Sequence, residues 1–97
     1  MNGILFSWDP EKARGNLRKH GVSFEEAATA FSDENARLIH DPDHSAEGEE
    51  RFVLLGLSSL PRLLAVCHTC RENDREVRII SARKAARQEH GQYRRFL

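Results

Sequence analysis

Apolar residues recur along this chain with two different periods. Phe24, Ala27, Ala28 and Phe31 follow the i, i+3, i+4, i+7 spacing of one helix face. Ser23 and Glu26 ahead of them form an S-x-x-E capping box. Before this helix, Asp9-Pro10 offers a cap and a first position, and Gly21 a stop. Lys19 and His20 fall in that helix's last turn, where positive charge suits the dipole. Gly15 inside it costs about 1 kcal/mol against Ala, so a tertiary contact must hold the helix.

Shorter apolar runs give the strands. Ile4 to Trp8 is a candidate edge strand. A short strand around Arg37 to His40 leads into a polar loop with Asp41-Pro42 and Gly48. Arg51–Ser59, Arg62–Arg71 and Glu76–Ser81 are three further strands, turning at Leu60-Pro61 and Asn73-Asp74. The segment "ARKAARQEHGQYRRF" is predicted as a terminal helix capped by Ser81 and weakened at Gly91. The layout is β-α-α-β-β-β-α. It predicts an α+β fold with two N-terminal helices on a mostly antiparallel sheet of about four strands, and a third helix closing the end. No repeat or linker divides the chain, so residues 1–97 are expected to form one domain.

A two-residue turn at Asn73-Asp74 sets the register of the last hairpin. Cys70 then faces Val77, Thr69 faces Arg78 and His68 faces Ile79. Arg78 shares a face with Thr69 and Arg71, while His68 shares the other with Val66, Val77 and Ser81. Both strands converge where Arg83 and Lys84 begin the predicted helix.

Composition narrows the class. With 39% hydrophobic and 31% charged residues the chain is an ordinary globular sequence. It carries no apolar run near the roughly 20 residues of a membrane helix. No signal peptide is evident, and a cytoplasmic location is expected. Cys67 and Cys70 lie three apart on one strand and point to opposite faces, which disfavours a disulfide. A second ligand pair for a zinc site is missing, and "HDPDH" (His40 to His44) is better accounted for as a turn than as a metal site. No metal or cofactor is expected.

Zero net charge hides a polarity. Residues 1–50 hold five basic against eleven acidic side chains, and residues 51–97 hold ten against four. Arg78, Arg83 and Lys84 cluster at the predicted helix start. Dipole energetics disfavour cations there, whereas a bound phosphate would favour them. RNA cleavage without a metal needs a base, an acid and cations around phosphorus. His68 offers an imidazole, Arg71, Arg78, Arg83 and Lys84 offer cations, and Ser81 and Tyr93 offer hydroxyls.

The stretches "WDPEKARGNLRKHGVSFEEA", "EERFVLLG", "HTCR" and "RIISARKA" together resemble the BrnT toxins of bacterial type II toxin–antitoxin systems. The resemblance runs from about Phe6 to Tyr93. It implies a fold similar to the RelE/ParE toxins and a metal-independent ribonuclease that blocks translation. It also implies neutralisation by a BrnA-like antitoxin, a ribbon-helix-helix DNA-binding protein whose complex represses its own operator. By position, the family's K-H-G element falls on Lys19, His20 and Gly21. Its H-x-x-R element falls on His68 and Arg71, and its last element on Arg78, Ser81, Arg83 and Lys84. The catalytic set expected is His68, Arg71, Arg78, Ser81 and Arg83; Lys19, His20, Lys84 and Tyr93 are expected to bind substrate. His20 competes with His68 for the acid–base role. A binding module without cleavage and a gyrase-directed toxin like ParE are the alternatives.

Overall fold

Residues 3–46, 49–71 and 75–95 are described in the computed structural model. Its elements are β1 (Leu5–Ser7), α1 (Pro10–His20), α2 (Phe24–Thr29), a 3-10 turn (Ala30–Ser32), β2 (Arg37–Ala46), β3 (Glu49–Leu57), β4 (Leu63–Arg71), β5 (Glu76–Lys84) and α3 (Arg87–Arg94). The sheet has five strands in the order β1-β5-β4-β3-β2. β1 runs parallel to β5, and the other pairs are antiparallel. The class is α+β as expected. The sheet has one strand more than the expected layout, because the short strand at Arg37 to His40, named but not counted in it, joins the sheet and runs on to Ala46. Pro42 is tolerated there because β2 is an edge, where one side of the backbone needs no ladder partner. The turn expected at Asn73-Asp74 and the loop glycine Gly48 lie outside the described residues.

The helix punctuation works as the sequence predicts. Asp9 accepts from the Glu11 N–H at 2.9 Å, and Gly21 ends α1 at φ +69°. Ser23 accepts from the Glu26 N–H at 3.0 Å. The other half of the expected capping box is diverted. The Glu26 carboxylate accepts from Ser58 Oγ at 2.7 Å and from the Arg62 guanidinium instead. Arg62 also donates to the Gly21 carbonyl at 3.0 Å, tying the α1–α2 corner to the start of β4.

Two cores form, one on each face of the sheet. Val22, Phe24, Ala27, Leu54, Leu64, Val66, Val77, Ile79 and Ala82 pack under α1 and α2. Trp8 meets Phe24 edge-on there, at 5.9 Å between ring centroids. Leu55, Leu63, Ala65 and Tyr93 make the smaller core under α3. Neighbours such as Leu54 and Leu55 serve opposite cores, as strand alternation requires. The third helix therefore covers part of the second face rather than closing an end.

The main correction concerns β5. The cap expected at Ser81 does not exist: β5 continues to Lys84, and α3 begins after Ala86. Ala, Arg and Lys favour helix locally, but pairing of Leu64, Ala65 and Val66 with Lys84, Arg83 and Ala82 wins. The expected register is otherwise found, with Cys70, Thr69 and His68 opposite Val77, Arg78 and Ile79. The next pair, however, is Cys67 with Ser81, which leaves Ile80 as an extra residue. This bulge rotates Ser81 onto the second face and Ala82 into the main core.

Asn16 braces that bulge. Its carboxamide accepts from the Ala82 N–H at 3.0 Å and donates to the Ala82 carbonyl at 2.7 Å. The same nitrogen donates to the Val22 carbonyl at 2.9 Å. This is the tertiary contact that holds α1 despite Gly15. Replacing Asn16 by Ala would strand several buried backbone groups, each costing about 1–3 kcal/mol. Urea denaturation of Asn16→Ala is expected to show a loss of about 3 kcal/mol. A loss under about 0.5 kcal/mol would mean that water replaces the side chain without cost.

Candidate functional site on the open sheet face

One polar row crosses all five strands on the second face, beyond the part that α3 covers. Asp41 pairs with Arg51, Arg51 with Thr69, Thr69 with Arg78, and Arg78 with Ser7. Cross-strand partners share a face, so Arg51 and Arg78 flank Thr69 about 4.8 Å away on either side. Thr69 is 2% exposed, and its Oγ1 has no hydrogen-bond partner among the described residues. A buried hydroxyl in that state costs about 1–3 kcal/mol, so it calls for an explanation. The two arginines on the neighbouring strands make the surface around it a cationic strip suited to an anion.

Other side chains gather around this row. Arg78 reaches Ser7 Oγ at 3.5 Å, and Ser7 donates to Glu76 at 2.7 Å. Cys67 lies one pair along, opposite Ser81 and Val53. Burial pushes its thiol up, while the charges of Arg51 and Arg83 pull the other way and that of Asp41 adds to the rise. Arg83 forms a two-pronged ion pair with Glu89 of α3, at 2.7 and 3.0 Å. Glu89 also accepts from the Ala86 N–H at 2.7 Å. Hydrogen bonding from Arg83 holds the Glu89 carboxyl below its usual range. Arg71 pairs with Glu49 at 3.4 Å at the rim of the same face.

Four of the expected site residues, Arg71, Arg78, Ser81 and Arg83, thus share one face. His68 does not. It points into the main core, is 1% exposed, and lies edge-on to Phe31 at 4.9 Å and stacked on Phe52 at 6.0 Å. Its Nδ1 lies 3.0 Å from the Val66 carbonyl, so that nitrogen carries the proton. Burial lowers its pKa and keeps the ring neutral. Ser81, expected beside His68, is on the far side of the sheet because of the bulge.

Tyr93 is also in a different setting from the one expected. It packs under α3, and its hydroxyl donates to Asp33 at 2.5 Å. Burial and the Asp33 carboxylate push its pKa up to about 12. Lys84 extends from the helix side of β5, where its charge acts on Glu26. Lys19 and His20 end α1 beside Gly21 and Arg62. Lys84 and the end of α1 thus both lie near the Glu26–Arg62 pair, a second corner on the other side of the sheet from Arg78. A groove of about 300 Å³ lined by Trp8, Ala13, Leu17 and Phe24 also opens on the helix side. Among the described residues no three His, Cys, Asp or Glu side chains converge as metal ligands would.

Sequence reasoning missed Arg51, Asp41 and Ser7. A signal for Arg51 existed in the alternation of Arg51, Val53 and Leu55, but which neighbours it faced depended on three separate registers.

A family model described as the ribonuclease toxin BrnT of type II toxin–antitoxin systems matches residues 8–89. The chain belongs to the BrnT family. A solved structure, the ribonuclease toxin BrnT of Brucella abortus, is similar to it with a TM-score of 0.65 and 20% identity. That match covers 87% of this chain and 99% of the Brucella chain, and at this identity it speaks for a shared fold. No curated protein matches in sequence. The BrnT match agrees with the resemblance drawn from the motifs, and it makes a ribonuclease toxin the frame for the open face.

The setting of His68 in this BrnT chain has a measurable consequence. A histidine whose folded pKa lies below its ordinary 6.5 binds protons more readily when unfolded. Its contribution is present above pH 6.5 and is lost as pH falls toward the lowered folded value. His68→Gln is expected to flatten the decline in stability as pH falls below about 6.5 in urea titrations. A decline equally steep in the variant would place the titrating group elsewhere.

Proposed function

We propose that this BrnT-family toxin is a metal-independent endoribonuclease that binds a phosphodiester of RNA on the open sheet face. The observation that carries this reading is the row of Arg51, Thr69 and Arg78, two arginines paired across adjacent strands with a buried threonine whose hydroxyl has no partner among the described residues. In this reading a ribose 2′-oxygen attacks phosphorus while the arginines hold the charge that develops on the phosphoryl oxygens. Ser81, one pair along, contacts the adjoining nucleotide, Arg83 two pairs along stays paired with Glu89, and Arg71 guides the strand at the rim. The bland account, that these arginines only satisfy neighbouring acids, covers Arg83 and Arg71 but not Arg51 and Arg78, which form no ion pair among the described residues.

The wider reading follows the resemblance. The chain acts as one domain of RelE/ParE-like fold in the cytoplasm and inhibits growth by blocking translation. A BrnA-like ribbon-helix-helix antitoxin neutralises it, and their complex represses its operator. Among the described residues no helix is long and apolar enough to cross a membrane. Membership of a type II family implies an antitoxin partner.

The test is cleavage of RNA by the purified chain in excess EDTA, on free RNA and in a translating extract, with DNA as control. Cleavage of RNA is expected to survive EDTA, to persist in His68→Gln, and to fall about 10²-fold in Arg78→Ala. Inactivity in both formats would favour a binding role or a gyrase-directed one, and a topoisomerase assay would detect the latter. Binding to single-stranded RNA is expected to weaken with salt. Removing Arg51 and Arg78 together should reduce the log–log slope by about 1.4, about 0.7 for each phosphate contact. An unchanged slope would put the RNA on another surface, such as the corner of Lys19, His20 and Lys84.

A further inference from the structure

With His68 buried, the open face needs another group to accept the 2′-hydroxyl proton. The chain has five histidines. His20 ends α1, His40 lies tilted against Phe52 at 5.3 Å on the helix side of the sheet and 3.9 Å from Glu50, and His90 lies on α3 next to Glu89. His44 differs from these. Its Nδ1 lies 2.9 Å from Asp41 Oδ2, and Asp41 is the first member of the row that continues through Arg51, Thr69 and Arg78.

Residues three apart on a regular strand point to opposite faces, so His44 and Asp41 should not meet. They meet because pairing between β2 and β3 is irregular between Asp41 and Ala46. Ser45 fixes the irregularity. Its hydroxyl donates to the Asp41 carbonyl at 2.7 Å and accepts from the Arg51 N–H at 2.9 Å. An ionised carboxylate can only accept, so His44 Nδ1 carries the proton and Nε2 of the neutral ring is the basic atom. A carboxylate that orients an imidazole in this way sets its tautomer for proton transfer. Asp41 is the charged group in contact with the ring; Asp43 is adjacent in sequence, and Arg51 pairs with Asp41 across the strands.

The carboxylates on the open face are poorer bases for this work. Glu89 is held by Arg83 and the Ala86 N–H, Glu76 by Ser7, and Glu49 by Arg71. Strands lie about 4.8 Å apart, so a phosphodiester seated between Arg51 and Thr69 lies within an imidazole's reach of the Asp41 position.

We propose that His44, oriented by Asp41, is the proton-accepting group of the open-face site. This rests on the ribonuclease reading above. Nε2 takes the 2′-hydroxyl proton as the 2′-oxygen bonds to phosphorus. The bond from phosphorus to the 5′-oxygen of the next nucleotide breaks, and that oxygen takes a proton from water. The products are a 2′,3′-cyclic phosphate and a 5′-hydroxyl, and His44 returns its proton to solvent.

The test compares wild type, His44→Ala and Asp41→Asn on one RNA oligonucleotide in EDTA, with affinity measured on a 2′-deoxy analogue that cannot react. His44→Ala is expected to cut at least about 10²-fold more slowly, the usual scale of a general base. Its affinity for the analogue and its melting temperature should be unchanged, since the side chain is exposed. Added imidazole should restore part of the rate in His44→Ala and leave wild type unaffected, which a structural role would not produce. Asp41→Asn should show a smaller rate loss with affinity retained. Cleavage by His44→Ala at the wild-type rate overturns the proposal, as does a rate loss that follows lost affinity and resists imidazole. An inert wild-type chain would overturn the ribonuclease reading and this assignment with it.

Discussion

The carboxamide of Asn16 closes an edge that the sheet would otherwise leave open. β1 is only three residues long and covers β5 from Glu76 to Arg78. Beyond that point the outer N–H and carbonyl of Ala82 have no strand beside them. Asn16 satisfies both from α1 and reaches Val22 as well. A side chain thus takes the place of a missing strand. The contact fixes α1 on the sheet and holds β5 at its bulge, and the bulge decides which residues face which side.

Without the bulge at Ile80, Ser81 would join His68 on the core face and Ala82 would turn to the second face, opposite Ala65. With it, Ser81 lies beside Cys67, and Arg83 follows Arg78 on the open face. The arginines of β5 therefore align with Arg51 of β3 because one strand holds a residue more than its partner. Burial sorts the histidine and the arginines for the same reason. A neutral ring is compatible with an apolar core of Phe31 and Phe52, whereas a guanidinium in that core would carry several kcal/mol of desolvation cost.

The open face has its own internal balance. Glu89 neutralises Arg83 and caps the start of α3, so the helix start expected to receive a phosphate already has a carboxylate. Arg78 and Arg51 instead flank a hydroxyl. Charge is thereby concentrated in the middle of the sheet, over a buried donor, and is paired with acids toward the rim.

Local chemistry alone made much of this legible. Asp9, Pro10, Gly21 and Ser23 set the helix ends because capping is a matter of adjacent residues. The pairings of His68, Thr69 and Cys70 followed from one short turn, and the BrnT signature stood in the motifs themselves. Other features required atoms far apart in sequence. β5 outlasts its helical propensity because β4 pairs with it, and α3 goes to the second face because Tyr93 finds Leu55 and Asp33 there. The row from Asp41 to Ser7 is assembled from five strands and four registers. The sequence by itself determined the elements, their caps and the family, since these depend on neighbours along the chain. Tertiary structure alone decided which side chains share a face, because one bulge in one strand inverts every residue that follows it.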